Sequence, residues 1–123
     1  MANFTDLLKD LALAELDTNG DRLDICSTEP TTYTEAITTY SLGNKTGITI
    51  AAPSDRGGGG REVVVSAITD GSVTADGTAA FWSIVRVGNT TLLATGSLSS
   101  SQAVTNGNTF TLTSFAIGIP DAA

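Results

Sequence analysis

Ala79-Ala80-Phe81-Trp82-Ser83-Ile84-Val85-Arg86-Val87, followed by Gly88-Asn89 and then Thr91-Leu92-Leu93-Ala94-Thr95, decides the fold of this chain. Two β-branched and aromatic runs flank a Gly-Asn pair, the pattern of antiparallel strands joined by a tight turn. A Ser-rich stretch, Ser97 to Ser101, and the turn Asn106-Gly107 lead on to a final strand from Thr109 to Ile119. There Phe110 and Leu112 share one face, while Phe115, Ile117 and Ile119 are out of phase with them. One extra residue near Thr113-Ser114, a β-bulge, returns all five to the core. Such a segment buries one face and shows the other, so it builds a surface and carries no catalytic constellation.

The same pattern extends upstream. Glu62–Ile68 reads as a strand, Asp70-Gly71 as a short hairpin turn, Ser72–Ala75 as the return strand and Asp76-Gly77 as a second turn. Arg22–Cys26 alternates and predicts a first strand, broken at Glu29-Pro30. Thr46–Ala52 predicts another, halted by Pro53. Thr32-Tyr33-Thr34-Glu35 has the form of a capping box and opens a short helix through Ile37 to Tyr40, closed by Gly43. The one extended helix is predicted over residues 3–16, with Asn3 as N-cap, Asp6 near the positive end and Gly20 as a left-handed stop. At about 100° per residue, Phe4, Leu7, Leu8, Leu11 and Ala14 form one stripe, expected to face the core. Leu13 and Leu16 lie off that stripe and are expected to meet a neighbour.

The expected organisation is a single domain over 1–123: helix 3–16, a mixed segment 22–56, a Gly-rich loop 57–61 and an antiparallel β segment 62–120. The fold class is mainly β, an antiparallel β-sandwich or flattened barrel with an N-terminal amphipathic helix. The expected core comprises Phe4, Leu7, Leu8, Leu11, Ile25, Val63, Val65, Phe81, Ile84, Phe110, Leu112, Phe115 and Ile117. Phe81 and Ile84 cannot share a strand face without a bulge, so one of them belongs to a second interface.

Composition narrows the function classes. The chain has 123 residues, 41% hydrophobic and only 15% charged, with Ser and Thr making up about a quarter. Its net charge of −7, with scattered basic residues, argues against nucleic acid. No stretch approaches a membrane span, and no basic n-region precedes an apolar run, so synthesis in a cytoplasm is expected. The absence of histidine removes His-based triads, general bases and metal ligands. Cys26, the single cysteine, has no internal disulfide partner and reads as a small core or interface hydrophobe, with cross-linking of copies as the rival. Asp17-Thr18-Asn19-Gly20-Asp21 imitates the start of a calcium loop. Arg22 and Thr28 then stand where glycine and the closing glutamate belong, so a helix stop and turn is the better account. The run Gly57–Gly60 lacks the Lys-Ser/Thr of a phosphate loop. No cofactor or metal is expected.

The candidate interface is Leu13 and Leu16 together with Arg56, Gly57, Gly58, Gly59, Gly60 and Arg61, the arginines being placed to pair with acidic groups of a partner. A different reading makes Trp82, Tyr33 and Tyr40 a glycan-stacking platform. For this Trp82 faces outward, since adjacent Phe81 takes the core side of the strand, unless a second layer covers it.

Several segments carry a family likeness: the helix Asn3–Leu16, the run from Arg22 to Ala36, Ser41-Leu42-Gly43-Asn44-Lys45, Gly60-Arg61-Glu62-Val63-Val64, Asn108-Thr109-Phe110-Thr111-Leu112 and Ile117-Gly118-Ile119-Pro120-Asp121. Through them the chain resembles small structural proteins of tailed bacteriophages, described as head-decoration or tail-fibre proteins. The resemblance carries no catalytic or ligand residue. It implies a non-enzymatic virion component, made in the host cytoplasm and assembled as a homo-oligomer with a major capsid, collar or tail protein. Capsid decoration is favoured, because the chain lacks the heptads or shaft repeats of an elongated fibre. The alternative is a collar or tail-fibre-associated adhesin that binds host-surface carbohydrate.

Overall fold

The computed structural model describes residues 5–120. Helix α1 spans Asp6–Asn19 and is capped by Thr5, whose hydroxyl accepts the Leu8 N–H at 3.3 Å. Asp6 adds a carboxylate at the positive end. Asn3 and Phe4, the expected cap and first core residue, lie outside the described residues. At the far end the Gly20 N–H bonds the Leu16 carbonyl at 2.9 Å. Gly20 has φ −73°, so it is not the left-handed stop the sequence suggested. Space demands the glycine: a Cβ there would stand 2.6 Å from the Leu16 oxygen and 3.0 Å from Ile84 Cγ2.

Among the described residues nine strands follow: β1 (Arg22–Cys26), β2 (Ser41–Thr46), β3 (Ser54–Asp55), β4 (Arg61–Val65), β5 (Ile68–Val73), β6 (Gly77–Arg86), β7 (Thr91–Val104), β8 (Thr109–Leu112) and β9 (Phe115–Ile119). Six form a curled antiparallel sheet in the order β7-β6-β1-β2-β5-β8, and β3-β4-β9 form a smaller second sheet. Both sheets and α1 feed one core, in which Leu13, Leu23, Ile25, Val63, Val65, Ile84 and Phe110 are buried together. The mainly β fold with an N-terminal helix is the one expected, a half-barrel closed by a second layer.

Several local expectations are displaced. Glu62–Ile68 is two strands: β4 ends at Val65 and β5 starts at Ile68 in the other sheet. Asp70-Gly71 is not a turn but an irregular step inside β5, where the Phe110 ring leaves no room for a side chain on Gly71. In place of a strand over Thr46–Ala52, β2 ends at Thr46, and Ile50 alone bridges to Val65. The Ser-rich stretch lies within β7, which runs on past Thr95 to Val104. The Thr32–Glu35 box forms in part, with the Glu35 N–H on the Thr32 hydroxyl at 3.2 Å. It opens a single π-helical turn, Glu35–Thr39, that ends at Tyr40, and Gly43 sits inside β2. At Thr113-Ser114 the chain leaves one sheet for the other, which puts Phe110 and Leu112 in the core and packs Phe115, Ile117 and Ile119 against it.

Strand β1 is buried on both sides. Leu23 and Ile25 face the main core, paired across to Ile84 and Trp82. Asp24 and Cys26 face the other way, beside Ser83 and Phe81, under the π-helical turn. Phe81 and Trp82 therefore exchange their expected roles: Trp82 is a core residue at 8% exposure, while Phe81 is half-buried on the opposite face. The second layer that inverts them is β9, whose Phe115 ring lies 4.8 Å from the indole.

The helix is turned over relative to expectation. Lys9, Leu13 and Leu16 face inward and are buried, whereas Leu7, Leu8 and Leu11 are 70%, 47% and 61% exposed. Positions 9, 13 and 16 are spaced by four and three residues, so they form a stripe of their own, nearly opposite the other. Arg61 fixes this orientation by gripping Asp10 with Nε at 2.7 Å and Nη2 at 3.2 Å. Leu13 and Leu16 are thus ordinary core, and the sequence assignment of them to an interface is corrected.

Candidate functional site

The glycine run is the tip of the β3–β4 hairpin. Arg56 N–H bonds the Gly60 carbonyl and Gly59 N–H bonds the Arg56 carbonyl, both at 3.0 Å. Gly60 has φ +100°, and any side chain there would strike the Ile119 carbonyl. Arg56 closes the tip by donating from Nη1 to the Gly59 carbonyl at 3.0 Å. Arg61 pairs with Asp10 and Asp55. Both arginines thus find their acceptors within the chain, in place of the partner's acids the sequence suggested. Gly57 and Gly58 remain exposed at the tip.

The proposed aromatic platform does not assemble. Trp82 looks into the main core, while Tyr33 and Tyr40 flank the π-helical turn on the other side of the sheet. A polar cluster fills the space beneath that turn. Asp24, fully buried, receives Arg22 Nε at 2.7 Å, Arg22 Nη2 at 2.9 Å and the Ser41 hydroxyl at 2.6 Å. Cys26 lies beside it, with Sγ 3.6 Å from the Ala36 carbonyl and 3.9 Å from Ser83 Oγ. Burial pushes the thiol up to about 11, a contact with Ser83 opposing it and the Asp24 charge adding to it. This thiol is a protonated core group at neutral pH.

The calcium-like segment is divided between two tasks. Asp17 to Asn19 complete the last turn of α1, and the Asp21 carboxylate accepts the Val87 N–H at 3.0 Å. No group of three or more His, Cys, Asp or Glu side chains able to hold a metal ion occurs among the described residues. No helix among the described residues is long and apolar enough to cross a membrane.

Two surface features remain, and the sequence located neither. One is the outer face of α1. Its exposed leucines stand beside the exposed carboxylate of Asp6 and that of Glu15, which lies 3.8 Å from Arg86. Each of these carboxylates has a cation of the chain beside it: Lys9, itself buried, lies 4.0 Å from Asp6, and Arg86 is the neighbour of Glu15. The face is apolar with a border of ion pairs. The periodicity of Leu7, Leu8 and Leu11 was visible; which side faced water was not.

The other is a cavity of about 530 Å³ at the seam where β7 faces the β8–β9 crossing. Two steps along β6, from Ala79 to Phe81, face five along β7, from Gln102 to Ser97, so β7 bulges outward here. Trp82, Leu112 and Phe115 contribute apolar lining, and Gly96 makes room for the indole. A Cβ on Gly96 would stand 2.6 Å from Trp82 Cζ2. Exposed Ser97, Ser99 and Ser100 lie on one wall and Thr111 and Thr113 on the other, with Gln102 reaching across to the Thr111 carbonyl at 3.1 Å. Trp82 is the one member of the expected platform that lines this cavity.

No family model matches the chain, and neither the search of curated proteins nor that of solved structures finds a match.

Proposed function

We propose that this chain is a non-enzymatic structural component of a tailed-phage virion, an accessory decoration protein held on the capsid through the outer face of α1. The observation that carries this reading is the row Leu7, Leu8 and Leu11, exposed on a helix whose other side is locked into the core. A monomer in water gains nothing from that row. Covering it stabilises a complex by roughly 2 kcal/mol per leucine fully removed from water. That sum is close to the cost of immobilising one molecule on another, at least about 4 kcal/mol. A single such contact is therefore weak, and copies that also touch one another, or touch the shell at a second point, bind far better. The helix lacks the exposed basic face with which amphipathic helices bind a lipid surface, which favours a protein groove as the partner. The exposed glycine tip, linked to α1 through Arg61 and Asp10, supplies a second contact.

The test is to image purified particles of the phage that carries this gene, with the protein and with the gene deleted. Density that recurs on the shell lattice and vanishes with the gene supports the reading; loss of density at the collar or fibre instead places the protein there as the adhesin. An unchanged particle removes the virion assignment.

A further inference from the structure

We infer that the seam cavity between β7 and the β8–β9 crossing is a binding site for a neutral saccharide of one or two rings. Four observations carry this. Its volume, about 530 Å³, falls within the range of small-molecule sites. None of its lining residues is charged, although the chain carries thirteen acidic side chains and six basic ones, so the site selects neither an anion nor a cation. Its apolar part is the half-buried Phe115, with the buried Trp82 and Leu112 beside it, and this offers a ring edge to the C–H face of a pyranose. Its rim holds Ser97, Ser99 and Thr113 hydroxyls, each able both to donate and to accept, as a sugar hydroxyl requires.

The walls are preorganised. The Trp82 ring is fixed between Gly96 and Phe115, and Gln102 ties the two sides of the seam together. Little ordering is therefore lost on binding. The site depends on neither Tyr33 nor Tyr40. The inference rests on the cavity and not on the docking of α1, so the two stand or fall separately.

Trp82 is the only tryptophan, so its fluorescence reports on this site alone. The isolated protein is titrated with galactose, glucose, rhamnose, N-acetylglucosamine and lactose, with glucuronate as a charged control. At least one neutral sugar is expected to give a saturable emission change with a millimolar Kd, and glucuronate none. Two fillings of the rim, Thr113→Arg and Ser99→Glu, sit at exposed positions where the fold is expected to survive, as circular dichroism checks. Each should weaken binding at least about tenfold. No saturable change with any neutral sugar, or an undiminished Kd in a folded variant, overturns the inference.

Discussion

At the scale of single residues, the buried group with the most at stake is Asp24. Its carboxylate has no exposure, and its two oxygens are taken by Arg22 and Ser41. Asp24→Ala strands the Arg22 guanidinium and is expected to cost about 3 kcal/mol, the lower end for breaking a buried pair, because Arg22 keeps some solvent. Chemical denaturation measures it; a loss under about 1 kcal/mol would mean that water replaces the carboxylate without penalty. Cys26 next to it should resist alkylation at neutral pH while the protein is folded and react once it is unfolded, because burial holds the thiol protonated. Cys26→Ala should cost about 1 kcal/mol. Rapid native alkylation would contradict the buried placement. Glu35 makes the opposite case at the surface. It accepts the Thr31 N–H at 2.8 Å and the Thr31 hydroxyl at 2.9 Å, and these bonds lower its pKa from the ordinary 4.5. Whatever it adds to the order of the turn is complete above the unfolded value and is lost as pH falls through the folded one. The Thr31 amide shift should therefore titrate with a midpoint below 4.5, and a midpoint at or above that value would mean the bond is absent in solution.

At the scale of elements, α1 and the seam show what periodicity can and cannot reveal. Existence of the helix follows from its spacing, and its range shifts by three residues because Thr5, not Asn3, caps it. Its orientation does not follow, because the helix has apolar residues on two sides. The stronger stripe by count is the exposed one. The inward side is selected by Gly20 packing on Ile84, by Arg61 holding Asp10, and by Leu13 and Leu16 meeting the core, all long-range facts. Leu13→Ala is accordingly expected to cost about 3 kcal/mol and Leu7→Ala less than about 0.5 kcal/mol, compared by thermal and chemical melts. Equal losses at the two positions would contradict the orientation. The β strands were legible where alternation was clean, as in Arg22–Cys26 and Thr109–Leu112. They were misread where a glycine signals contact rather than a turn. Gly71 makes room for the Phe110 ring of a neighbouring strand, so Asp70-Gly71 stays extended inside β5. A second layer over Trp82, unseen in the strand's own sequence, reversed the facing of Phe81 and Trp82 and kept the seam cavity out of sight.

At the scale of the whole molecule, the β body presents an apolar helix face and an uncharged seam cavity. The first is the means of attachment in the proposed function and the second the proposed saccharide site. The central claim is that Leu7, Leu8 and Leu11 are an assembly surface rather than idle exposed residues. The most direct measurement is the copy number of a Leu7→Ser, Leu11→Ser variant in purified particles, relative to the unmodified protein at equal expression. Both side chains are largely solvated, so circular dichroism and melting temperature are expected to remain close to those of the parent. Incorporation should fall at least about tenfold, because several kcal/mol of apolar burial are removed at every site. A folded variant that enters particles at the parental copy number would contradict the account.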